Sequence, residues 1–160
     1  MNAENFVFKI KRDTIPEPED FSLRKFSCFD FFTSTQSFIE HNFRGAVNIE
    51  FPEICKGFVH ISPRGFAYFI SLLLSEIYGN SMVNAHVTSS DNDVIITIKG
   101  VALQKRLRQL ENIAERSGFS VIKDGADLIL KTPISITQEM FIYARDILEL
   151  INYFYEVFLA

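Results

Sequence analysis

The sequence predicts a single α/β domain in which helices pack against a mainly antiparallel sheet. Three features predict it. Apolar residues recur at helical spacing in four stretches, they alternate in several others, and turn residues join two pairs of the alternating stretches into hairpins. A chain of 160 residues, 48% of them hydrophobic, is long enough for one sizeable core and short for two, so one domain over 1–160 is expected. Seventeen phenylalanines and no tryptophan make that core aromatic. Each phenylalanine fully buried stabilises the fold by roughly 1.5–3 kcal/mol.

Phe6, Phe8 and Ile10 alternate with Val7, Lys9 and Lys11, the pattern of a short edge strand, and an acidic, proline-bearing connector follows over Ile15 to Glu19. From Ser22 to about Arg44 a wide apolar face at helical spacing, built on Phe29, Phe32, Ile39 and Phe43, predicts a helix that Gly45 ends. Val47, Ile49 and Phe51 then alternate as a strand, and Val59 and Ile61 as another. Ser62-Pro63 is a helix start: the serine caps a free amide, and proline at the first helical position gives up no hydrogen bond. The helix is expected to run to Tyr78 with Phe66, Phe69, Ile70, Leu73 and Ile77 as its buried stripe. Val83 to Thr88 and Val94 to Ile98 form a hairpin. Leu103, Leu107, Leu110 and Ala114 mark an amphipathic helix stopped by Gly118, and a second hairpin turns at Asp124-Gly125. A final helix, capped by Ser135 or Thr137, is expected to run nearly to Ala160.

Several function classes are excluded at this level. The net charge of −4 and scattered Lys and Arg, apart from Lys105, Arg106 and Arg108, provide no basic stripe for nucleic acid. No basic start with an apolar stretch marks a secretion signal, and no apolar run reaches membrane-spanning length, so a cytoplasmic protein without a membrane partner is expected. Cys28 and Cys55 lack metal-ligand or CxxC spacing and read as structural residues, small and buried in a reducing compartment. The seven glycines never fall closer than seven residues apart, so no glycine cluster gathers backbone amides around a phosphate.

The order of elements, and several local sequences, resemble the ATP-binding domain of sensor histidine kinases, the GHKL or Bergerat fold. Glu19-Asp20-Phe21-Ser22-Leu23-Arg24 resembles the opening of that domain's first helix, and Ile61-Ser62-Pro63 its strand-to-helix entry. Phe69-Ile70-Ser71-Leu72-Leu73-Leu74-Ser75-Glu76 resembles the N-box helix, and Ala114-Glu115-Arg116-Ser117-Gly118 with the hairpin to Pro133 resembles its close. The resemblance spans about 20–133, leaving 135–160 as an additional C-terminal helix. It implies a two-layer sandwich with a mixed, mainly antiparallel sheet and helices on one face.

The nucleotide-binding parts of the family do not carry over. Its Mg²⁺-ligating asparagine falls at Ser75, with Ser71 one turn earlier, and a hydroxyl is a poorer ligand for that cation. Its Asp-x-Gly-x-Gly should follow Ile98, where the chain reads Lys99-Gly100-Val101-Ala102. Its long lid and second glycine box have no counterpart before Leu103. No cofactor, metal ligand or catalytic residue is therefore expected, and an enzyme is disfavoured.

The three histidines sit singly, in unlike contexts. His60 and His86 fall at polar positions of strands. His41, beside Glu40 on a helix, reverses the order of the family's phosphoacceptor context and reads as an exposed residue. On the last helix, Phe141, Ala144, Leu148, Ile151, Tyr155 and Phe158 step by threes and fours, with Ile147, Leu150, Phe154 and Val157 widening the apolar surface. The expected function is a non-catalytic, ATPase-like domain that binds a protein in signalling or regulation, with a homodimer through this helix as the favoured form. The alternative is a relay phosphotransferase or a weak ATP-binding protein of histidine kinase type.

Overall fold

The structure, a computed structural model, describes residues 17–42, 47–50, 57–77, 83–89, 92–99, 107–135 and 144–159. The expected edge strand over Phe6–Ile10, the helix stop at Gly45 and the positions Lys105 and Arg106 lie outside these residues. Among the described residues, seven strands and four helices follow one another as β1 (Arg24–Ser27), α1 (Cys28–Asn42), β2 (Val47–Glu50), β3 (Phe58–Ile61), α2 (Pro63–Ile77), β4 (Val83–Ser89), β5 (Asp93–Lys99), α3 (Leu107–Ser117), β6 (Ser120–Asp124), β7 (Asp127–Pro133) and α4 (Ala144–Leu159). The main sheet has the order β2-β4-β5-β7-β6, antiparallel throughout except for β2, which runs parallel to β4. The mixed, mainly antiparallel α+β architecture is the one the sequence predicts.

The sheet faces are set by period-two alternation. Ala85, Val87, Val94, Ile98, Val121, Leu128, Leu130 and Thr132 are buried on the helix side, while Asn84, His86, Thr88, Lys99, Ile122 and Lys131 on the other side are exposed. His60 of β3 is exposed as well.

The segment before α1 departs from the expected helix. Ser22 to Ser27 does not continue α1 backward; Arg24–Ser27 instead pairs antiparallel with β3, Phe26 opposite Val59. The helix starts where Ser27 places its hydroxyl to accept from the Asp30 amide at 3.4 Å. Cys28, the first residue of α1, is buried, and its amide donates to the Gly57 carbonyl at 3.0 Å. Cys28 is buried as expected of a structural residue, but its thiol is disulfide-bonded rather than free.

Helix α2 starts as its cap predicts. The Ser62 hydroxyl accepts from the Gly65 amide at 3.0 Å, and the Ser62 amide donates to the Ser117 carbonyl at 2.9 Å, so the end of α3 is tied to the start of α2. Gly65 permits that approach, since a Cβ there would stand 2.0 Å from the Ser117 hydroxyl oxygen. Over residues 63–73 only Arg64 is exposed, so α2 is buried nearly all round rather than along one stripe. Phe66 and Phe69 both meet the edge of Phe119, and Phe66 also packs on Phe31 and Phe154.

The region after β7 also differs from expectation. The Ser135 amide and carbonyl bridge to Phe58 of β3 at 2.8 and 2.9 Å, while Thr137, the other expected cap, lies outside the described residues. The described part of the last helix begins at Ala144.

Candidate functional site

Two places answer to the residues singled out in the sequence: α2 with the end of β5, and the outer surface shared by α1 and α4. At the first, Ser71 is buried and its hydroxyl donates to the Tyr68 carbonyl at 2.7 Å, one turn back on its own helix. Ser75 lies in the last turns of α2, with its side chain outside the described residues. Lys99 ends β5 opposite Asn84 and is exposed, while Gly100 falls outside the described residues. Residues 100–106 lie outside the described residues, which resume at Leu107 of α3. Among the described residues no group of His, Cys, Asp and Glu could hold a metal ion.

At the second place, α4 buries one flank and exposes another. Leu150 and Phe154 are fully buried, and Phe154 stacks on Phe38 of α1 with ring centroids 4.7 Å apart. The expected contact stripe points elsewhere: Leu148 is 61% exposed, Tyr155 38%, and Ile151 is half-buried. Phe141 lies outside the described residues, as do the side chains of Ala144 and Phe158.

Between α1 and α4 runs a groove of about 400 Å³. Thr33, Ser34, Ser37 and His41 form its α1 wall, Ile151 and Tyr155 its α4 wall, and Phe38 joins them. Tyr155 meets the edge of Phe38 at 5.1 Å. The groove brings together His41 and two residues of the α4 stripe, which the sequence placed on separate elements. The hydroxyls of α1 were missed; their signal is the run Thr33-Ser34-Thr35 with Ser37, side chains that compete with the backbone inside a helix. Thr35 turns inward, donating to the Phe31 carbonyl at 3.0 Å, which leaves Thr33, Ser34 and Ser37 for the groove.

Arg64 of α2 packs against α4. Its guanidinium lies 4.5 Å over the Tyr153 ring. A side-chain hydrogen bond with Tyr153, helped by Glu156 and Asp20, holds its pKa above the ordinary arginine value. Asp20 is held below the usual carboxylate range by the Ser22 hydroxyl and amide. Residues 17–21 are clamped too, with Arg116 3.9 Å over the Phe21 ring and 2.6 Å from Glu17.

The arrangement of elements has a counterpart among solved structures. The ATP-binding domain of PrrB from Mycobacterium tuberculosis aligns over 72% of this chain and 99% of its own, at 12% identity and a TM-score of 0.51. The fold is that of a histidine kinase ATP-binding domain. At lower TM-scores, the cytoplasmic segment of histidine kinase QseC aligns at 0.45 (13% identity, 86% of this chain and 97% of that one), and histidine kinase AdeS from Acinetobacter baumannii at 0.46 (11% identity, 85% and 76%). No family model and no curated protein matches the chain. The segment whose sequence resembles the N-box lies on α2, and β5 ends at Lys99. Helix α4 follows the closing hairpin of β6 and β7. No described helix is long and apolar enough to cross a membrane.

Proposed function

We propose that this chain is a histidine kinase ATPase-like domain that has lost its nucleotide site and acts by binding another protein in signalling or regulation. The observation that carries the reading is the amino-acid sequence between Lys99, which ends β5, and Leu107, the first described residue of α3. Seven residues, Gly100-Val101-Ala102-Leu103-Gln104-Lys105-Arg106, stand where the resembled family has an Asp-x-Gly-x-Gly, a lid and a second glycine box. They include one glycine and no carboxylate. Losing the one charge-assisted hydrogen bond to adenine alone costs about 1.5–3 kcal/mol, roughly ten- to a hundredfold in affinity. The inward turn of the Ser71 hydroxyl adds support, since it is already committed to its own helix.

The same reading makes 1–160 one domain: an ATPase-like core over about 20–133 with α4 added to it, through Leu150 and Phe154 in the common core. The outward strip of Leu148, Ile151 and Tyr155 is its docking surface, and the apolar stripe alone favours a second copy of the chain as the occupant. It assigns the protein no cofactor and keeps the cytoplasm as its expected place, with the Cys28 disulfide as the feature that stands against a reducing compartment.

Radiolabelling tests the reading against phosphotransfer. The chain is expected to take up no label from radioactive ATP or from phosphorylated response regulators. Label that vanished in His41→Ala would establish the phosphotransferase instead.

A further inference from the structure

The charges of α1 and α4 say more about the occupant than the apolar stripe does. Helix α1 carries Asp30 and Glu40 and no lysine or arginine; α4 carries Asp146, Glu149 and Glu156 against the single Arg145. Asp30, Glu40 and Glu156 are exposed. Asp30 lies one turn before Thr33 and Ser34 on the groove wall, and Glu40 directly precedes His41. Arg64 borders Glu156, but its guanidinium is engaged over the Tyr153 ring. A second copy docked face to face would set carboxylates against carboxylates, a juxtaposition that works against association.

From this we propose that the α1–α4 groove docks an amphipathic helix of another protein, with lysine and arginine along the flanks of its apolar stripe. The inference rests on the protein-binding reading above and names the partner's chemistry. Apolar residues at i, i+3 or i+4, and i+7 of the incoming helix meet Phe38, Ile151, Tyr155 and the exposed Leu148. The hydroxyls of Thr33, Ser34 and Ser37 line the polar side of the groove. Basic flanking residues answer Asp30, Glu40 and Glu156. The attraction steers encounter and weakens with salt.

Two fluorescent helical peptides of about 18 residues, with one shared leucine stripe and either Lys/Arg or Glu flanks, test the proposal by anisotropy with the full chain. The basic peptide is expected to bind at least about tenfold tighter. Leu148→Asp should abolish its binding without unfolding the chain, since Leu148 is 61% exposed. Asp30→Lys with Glu40→Lys should reverse the preference. Asp124→Lys, at the exposed turn between β6 and β7, should leave it unchanged. Equal binding of both peptides, binding of neither, or an equal effect of Asp124→Lys overturns the proposal. A sedimenting dimer that Leu148→Asp dissociates, and that excludes the basic peptide, overturns it too while leaving the protein-binding reading standing.

Discussion

Phe154→Ala is expected to destabilise the protein by about 3–5 kcal/mol, the range for truncating a fully buried phenylalanine. Against the roughly 5–15 kcal/mol of a typical domain, that is a large fraction of the whole. Phe154 is 0% exposed, stacks on Phe38 at 4.7 Å and meets the edge of Phe66 at 6.1 Å, so its loss opens the junction of α1, α2 and α4 at once. In urea unfolding the midpoint should fall with a single transition retained, because α4 shares one core with the sheet. Leu148→Ala, on the outward strip, should move the midpoint little. An unchanged midpoint for Phe154→Ala would mean that α4 is not part of the folded core.

Gly118→Ala should cost roughly 2–4 kcal/mol. Gly118 has φ +95°, where a side chain is strained, and an added Cβ would stand 2.6 Å from the His60 carbonyl oxygen and 3.2 Å from Leu23. His60 belongs to β3, so relieving the clash pushes the end of α3 away from the strand that leads into α2. Gly125→Ala separates strain from clash. At φ +59° with nothing within 4 Å, it should cost only the conformational part, about 1–2 kcal/mol. Equal melting of the two variants would show that the contact with His60 contributes nothing.

The order of elements was legible because each depends on its own residues. Ser62-Pro63 starts α2, Gly118 closes α3 and Asp124-Gly125 turns the last hairpin, all through local chemistry that needs no distant partner. The misreadings fall where a distant partner decides. Arg24–Ser27 shares its apolar spacing with the helix that follows and becomes a strand because β3 lies alongside. Likewise the bridge from Ser135 to Phe58 of β3 leaves no trace in the local sequence. The groove could not be read either, because Thr33, Ser34 and Ser37 lie more than a hundred residues from Ile151 and Tyr155 in the chain. The packing of Phe38 on Phe154 and Tyr155 brings those helices together.

Calorimetric titration of the intact protein with Mg-ATP bears most directly on the central claim, that this framework has kept its fold and lost its nucleotide site. No saturable heat is expected. Saturable binding tighter than about 100 μM would contradict the claim, since it draws about 5.5 kcal/mol from contacts that residues 100–106 are held not to make.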